Sequence, residues 1–339
     1  MSLNTQPAPS TGGQTVGAEV LAVADMISTE LEKPFREYEF GTNGIDRHPS
    51  EHHQPFFEDA YGVLALCITY DKTQIGRYLD SSKEWADKMI AYQQAMNPVG
   101  AYYMNYFRRP GQSRGDWYVA DANSIAIAVL AVGKRTRDAK YLDSVLAYEQ
   151  MVQRFVALDG GVSDGLWANY TAEWWASTAT YGSLQLVLYD CTGESIYLQR
   201  AVRALNWINK TGIDNFVRPN LKQDGPAIMF YTGWFLAEAH LAGLQADTTQ
   251  IAQWFLENQK SANPNSHMNY LYETYMAGMP AIQFRIGQED NADSELAYLT
   301  SVLPHRGLDA QTWSFITWTA TSQAAQITYT TEVPTKNPH

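Results

Sequence analysis

Two stretches of the 339-residue chain set an acid among aromatic side chains: Trp117-Tyr-Val-Ala-Asp121-Ala-Asn123 and Trp167-Ala-Asn-Tyr170-Thr-Ala-Glu173-Trp174-Trp175. Asp121 stands at the mouth of a run, continuing to Gly133, that is apolar on nearly every side, so an ionisable group there needs a reason. One reason is chemical. A carboxyl in a partly dry pocket keeps its proton near neutral pH, gives it to a glycosidic oxygen or vinyl ether carbon, and then activates water. The other is structural, because Asp is among the residues favoured at helix N-termini. Around Glu173, the faces of Trp167, Tyr170 and Trp174 suit a sugar subsite, and they suit a protein core equally well. Arg108, Arg109 and Arg114 are candidates for holding a substrate carboxylate, since the guanidinium fork matches a carboxylate bidentately; the alternative for each is an ordinary solvated arginine. Asp116, Asp224 and Glu273 occupy comparable loops and read as solvated or capping acids.

Other motifs carry less. Gly161-Val-Ser-Asp-Gly165 fits the pattern of a nucleophile elbow, but that device needs a strand before it and a helix directly after, and neither is expected here. His48, His52 and His53 with Glu51 lack the helical spacing of a ready metal site, so they read as loop histidines, with His53 a candidate substrate contact. There is no phosphate loop and no dinucleotide fingerprint, and no cofactor or metal is expected.

The totals narrow the choice of partner. A net charge of −12 without clustered Lys and Arg argues against nucleic acid. Ten Trp and 21 Tyr make the chain rich in rings that combine an apolar face with a polar handle, as carbohydrate binding requires. Cys67 and Cys191 lie in helical patterns without ligand spacing and read as buried thiols. No apolar run reaches membrane-spanning length, and the polar N-terminus lacks the regions of a signal peptide, which makes the cytoplasm the expected location.

The elements that must position these residues are helices. Thr73, Thr136 and Thr192 are each followed five residues later by Tyr-Leu, at Tyr78, Tyr141 and Tyr197, and each pair opens an amphipathic helix. Before each of these turns comes a helix apolar all round, expected at about 57–70, 119–134 and 174–190. The first helix is expected over about 18–37, and further inner and outer helices over 227–244, 248–259, 271–286, 293–303 and 310–327. Pairing the ends closes a ring of six inner and six outer helices, an all-α (α/α)6 toroid spanning residues 17–330, with a flexible arm over 1–16 and a tail over 331–339. Open solenoids repeat at shorter periods than the 63 and 56 residues found here. The turns from inner to outer helices are short, whereas the returning loops are long and carry the aromatic and basic residues, so the candidate site lies on the rim where inner helices begin.

The helix pairs, the Thr-x-x-x-x-Tyr-Leu turns and the Trp-x-x-Ala-Asp-x-Asn mouth resemble the six-hairpin glycosidases, in particular the unsaturated glucuronyl and galacturonyl hydrolases. The resemblance covers about residues 18–330 in architecture, and its motifs are degenerate. It implies a pair of aspartates on successive inner helices, one of them the general acid and base, and the matching positions are Asp59 and Asp121, with Glu58 an alternative to Asp59. Trp117, Tyr231 and Tyr275 on the same rim would join the substrate-binding residues. The implied function is hydrolysis of oligosaccharides, including those with unsaturated uronic acid. Lyases and epimerases share the toroid, and a helical scaffold that binds sugar without turnover is the reading from another class.

Overall fold

A computed structural model describes residues 18–35, 51–53, 57, 59–103, 117–165, 175–211 and 225–258, together with 282, 283, 286–288, 290 and 294. Among the described residues nine α-helices follow one another: α1 (Ala18–Leu31), α2 (Asp59–Thr73), α3 (Gly76–Gln94), α4 (Val119–Thr136), α5 (Ala139–Val152), α6 (Trp175–Thr192), α7 (Ser195–Thr211), α8 (Gly225–Leu241) and α9 (Thr249–Asn258). Extended structure among them is confined to isolated bridges. No helix of the described residues is long and apolar enough to cross a membrane. The first helix ends at Leu31 rather than near residue 37. The helices expected over 271–286, 293–303 and 310–327, the arm over 1–16 and the tail over 331–339 lie outside the described residues apart from isolated positions.

The helices sort into two layers for the reason their sequences suggest. In α2, α4 and α6 nearly every side chain is buried, so these helices need protein on all sides. They pack in succession as α2, α4, α6 and α8, while α1, α3 and α5 pack in succession outside them. The outer helices bury one stripe only, for example Tyr78, Ser82, Trp85 and Met89 of α3.

The threonine repeat is a helix-stop device. Thr73, Thr136 and Thr192 each donate their hydroxyl to the carbonyl four residues back, at 2.8, 3.0 and 2.8 Å. The same oxygens accept the N–H two residues ahead, from Ile75, Asp138 and Glu194. Between them sits a residue in the left-handed region, Gln74, Arg137 or Gly193, whose N–H closes the last helical turn. The tyrosine that follows tethers neighbouring outer helices: Tyr78 donates to Asp25 of α1 at 3.3 Å, and Tyr141 to Asp87 of α3 at 2.8 Å. On the same rim, ion pairs join the C-terminal ends of successive inner helices, Arg135 with Asp71 and Lys134 with Asp190. Cations in the last turn of α4 also complement its dipole.

The inner layer turns its small and polar stripe to a common axis. On α4 the residues that keep a little exposure are Ala120, Asp121, Ser124, Ile127 and Ala131, spaced by threes and fours, while the flanking Val119, Ala122, Asn123 and Ile125 are sealed. The axis is bridged near the helix starts. Tyr61 of α2 shares a 3.1 Å hydrogen bond with Ser124 of α4, and its ring lies 6.0 Å from Phe230 and 6.4 Å from Tyr231 of α8. Because α4 and α6 stand between α2 and α8 in the succession, this contact shows the inner layer curling back on itself. Where α6 meets α8 the backbone comes very near: a Cβ on Gly182 would lie 2.3 Å from the buried Phe235 ring. Gly182→Ala is therefore expected to destabilise the fold by about 1–3 kcal/mol through overpacking, read as a lowered urea midpoint at unchanged slope.

Candidate active site

Asp121 occupies the third position of α4, so it faces the axis one turn above Ser124 at the rim opposite the threonine turns. It is 7% exposed. It does not fill the N-cap position, which belongs to Tyr118 in extended conformation. The first N–H of the helix, that of Val119, is met instead by the carbonyl of Asp164 at 2.8 Å. Ser124 and Tyr61 below it, with Tyr231 beyond, make a floor of hydroxyls and aromatic rings.

Behind Asp121 the wall is a hydrogen-bonded relay. Tyr148 of α5 donates to Asn123 at 2.8 Å, and Asn123 donates to Thr180 Oγ1 at 3.0 Å and to the Ser177 carbonyl at 3.4 Å, both on α6. Burial pushes the Tyr148 phenol well above its usual pKa, and the neighbouring Tyr102 and Asp121 add to the effect, so it remains a neutral donor. Asn123 is thereby fixed in one orientation, and α4 and α6 are held in register at their mouths.

Residues 156–165 form a short hairpin that reaches this mouth. Val156 bridges Val162, and Gly165 bridges Tyr118 in antiparallel fashion. The Val162 N–H donates to Thr178 at 2.9 Å, and the Ser177 hydroxyl donates to the Asp164 carboxylate at 3.3 Å. Gly165 adopts a φ of +143°, and a Cβ there would lie 2.1 Å from the Trp117 carbonyl oxygen, so only glycine allows the approach. The motif that imitates a nucleophile elbow is thus a clamp on the start of α4. Nothing in the local sequence singles out Asp164 as a site residue. Its local signal is the Gly-flanked turn, and the bridge of the next residue, Gly165, to Tyr118 across 47 positions has no local signature.

Asp59 faces the other way. It is 0% exposed, and its carboxylate takes a hydrogen bond from Trp85 Nε1 of α3 at 3.2 Å and pairs with His53 Nε2 at 2.8 Å. The other ring nitrogen of His53 meets Glu30 of α1 at 3.1 Å. Burial opposes the charged imidazole, but the charge and hydrogen bond of Asp59, joined by those of Glu30, outweigh it and push the His53 pKa up to about 9. For Glu30, burial pulls upward while His53 and Lys33 pull harder downward, holding it below the usual range. An imidazolium between two carboxylates thus staples the segment before α2 to the outer layer, helped by the bridge of Phe35 to His53.

The other expected site residues divide plainly. Trp117 is packed inward, its Nε1 donating to the Tyr102 carbonyl at 2.9 Å and its ring against Tyr148 and Phe155. Tyr231 stands in the floor beside Tyr61. Glu58, Glu173, Trp167, Tyr170, Trp174, Arg108, Arg109, Arg114 and Tyr275 lie outside the described residues. Among the described residues no group of three or more metal-ligating side chains is gathered.

The staple has a pH signature. A histidine whose folded pKa is raised contributes stability that is complete below its unfolded value of about 6.5 and is lost as pH rises through about 9. The loss is expected to be on the order of 3 kcal/mol between these limits. Urea melts from pH 6 to 10 check it: His53→Gln should be less stable at pH 6 and should flatten this part of the pH profile.

No protein-family model and no curated protein sequence matches the chain. Solved structures do. A family 76 glycoside hydrolase (mannosidase), Bt3792 from Bacteroides thetaiotaomicron VPI-5482, superposes with a TM-score of 0.62 at 14% identity, over 91% of this chain and 98% of its own. The GH76A α-1,6-mannanase of Salegentibacter sp. HEL1_6 gives 0.60 at 14% identity, over 90% and 99%. An inactive variant of that mannanase with two consecutive aspartates replaced by alanine, in complex with α-1,6-mannotetrose, gives 0.59 at 13% identity, over 91% and 99%. The likeness runs through nearly the whole chain, and the protein has an (α/α)6 toroid fold.

Proposed function

We propose that the protein is a glycoside hydrolase acting on oligosaccharides, with Asp121 as its general acid and base. The observation that carries this reading is the position of Asp121: a carboxylic acid on the axis-facing stripe, at the end of the toroid where the long connections run, above a floor of hydroxyl and aromatic groups. Such a group gives its proton to the glycosidic oxygen as the C–O bond breaks, and then takes one from the water that adds to the anomeric carbon. Tyr61, Ser124 and Tyr231 offer the rings and hydroxyls that a sugar bound at the axis needs.

Asp59 takes a supporting role in this reading. Its carboxylate is engaged by His53 and Trp85 on the outer side of α2, so it fixes the start of that helix and meets no substrate. Trp117 is likewise assigned to packing and to holding the loop before α4.

For the substrate, the structural neighbours favour α-1,6-linked mannose oligosaccharides as the first class to test. The uronate alternative rests on Arg108, Arg109 and Arg114 and is the second. One feature sets this chain apart from the mannanase whose inactive variant lost two consecutive aspartates: it contains no two consecutive aspartates anywhere. Its adjacent acids are instead Glu58-Asp59 and Glu289-Asp290.

The test is hydrolysis by the full chain of α-1,6-mannotetraose, followed by product chromatography, and of unsaturated uronate disaccharides, followed by loss of double-bond absorbance. Asp121→Asn is expected to lower kcat by roughly a hundredfold or more while substrate affinity is kept. Binding without turnover by the wild-type chain would instead identify a sugar-binding scaffold.

A further inference from the structure

The geometry points to Asp164 as the second carboxylate of this site, paired with Asp121 across the mouths of α4 and α6; the inference rests on the hydrolase reading above. Four observations on separate parts of the chain converge on it. The Asp164 backbone is fixed to the first residue of α4 by the Val119 N–H, two positions from Asp121. Its side chain is fixed to the first turn of α6 by the Ser177 hydroxyl. The same Ser177 receives Asn123 of α4 at its carbonyl, so the first turns of α4 and α6 are joined immediately beside both acids. Asp164 also keeps the same 7% exposure as Asp121, whereas Asp59, the partner expected from sequence, keeps none.

The clamp is built for position rather than for capping alone. The Asp164 carbonyl serves the start of α4, while its carboxylate accepts from Ser177 in the first turn of α6. Gly165 then brings the loop nearer to Trp117 than any residue with a Cβ allows, and the Ser163 N–H donates to the Phe155 carbonyl at 2.9 Å to hold the other side of the hairpin. A loop held at both edges, with its acid between two helix N-termini, places a carboxylate to within a fraction of an ångström, as catalysis demands.

The division of labour follows from the partners. The Asp164 carboxylate accepts from the Ser177 hydroxyl beside the starts of α4 and α6. As the glycosidic C–O bond breaks, Asp121 protonates the departing oxygen, and the ionised Asp164 stabilises the positive charge that develops on the anomeric carbon. Water then adds to that carbon and gives its proton to Asp121, which the first step left ionised. One water is consumed, a reducing sugar and a sugar with a freed hydroxyl result, and Asp121 is again protonated and Asp164 again ionised.

The experiment compares the wild-type full chain, Asp164→Asn, Asp164→Glu and Asp59→Asn on α-1,6-mannotetraose and the uronate disaccharides, with thermal melts of each. Asp164→Asn is expected to keep its melting temperature within a few degrees and to lose roughly a hundredfold in kcat with KM little changed. It should also lose the acidic limb of the rate profile, because that limb reports ionisation of the second carboxylate. Asp164→Glu should recover part of the rate, and Asp59→Asn should alter stability more than kcat. An active wild-type chain whose Asp164→Asn variant keeps its rate, or keeps the acidic limb, overturns the role of Asp164 alone. A folded wild-type chain that cleaves no substrate in either class overturns the hydrolase reading, and the role of Asp164 with it.

Discussion

A helix that is apolar all round has to be enclosed on every side, and most of this structure follows from that constraint. The chain contains several such helices in alternation with amphipathic ones. Two layers, with the apolar helices inside, satisfy all of them at once. The amphipathic helices supply the outer wall, and their buried tyrosines and acids tie each to the one before it. The enclosed helices still need something at their common axis. They meet it with small residues, a few hydroxyls and the rings of Tyr61 and Tyr231, which touch from opposite members of the succession. A polar group on that axis is expensive unless it has work to do, and Asp121 is such a group.

The two ends of the inner layer are treated differently, and the difference makes one of them a site. Where the inner helices finish, threonine turns and ion pairs seal the rim with connections only two residues long after α2, α4 and α6. Where they begin, the connections are long, and the 156–165 hairpin folds back over the start of α4. Helix N-termini present unmatched N–H groups, so this end attracts carboxylates, whether the protein's own or a ligand's.

Carboxylates of the same type meet opposite fates here. Asp59 begins α2 as Asp121 nearly begins α4, yet one is sealed against an imidazolium and an indole, and the other faces the axis. The cause is helical phase: Asp59 is the first residue of its helix and Asp121 the third, a difference of about 200° around the cylinder. His53, expected to reach a substrate, lies instead between Glu30 of α1 and Asp59 of α2.

Sequence by itself determined the alternation of layers, the boundaries of most helices to within a few residues, and the threonine turns, because these depend on periodicity and on contacts between residues two to five apart. It also marked Asp121, since an acid at the head of an apolar helix is conspicuous in one dimension. Tertiary structure alone decided which acids share a space. The separation of Asp59 from the axis depends on helical phase and on α1 and α3, and the arrival of Asp164 beside α4 depends on a hydrogen bond between residues 45 positions apart. Contacts of that range are made by packing, and no local pattern of residues encodes them.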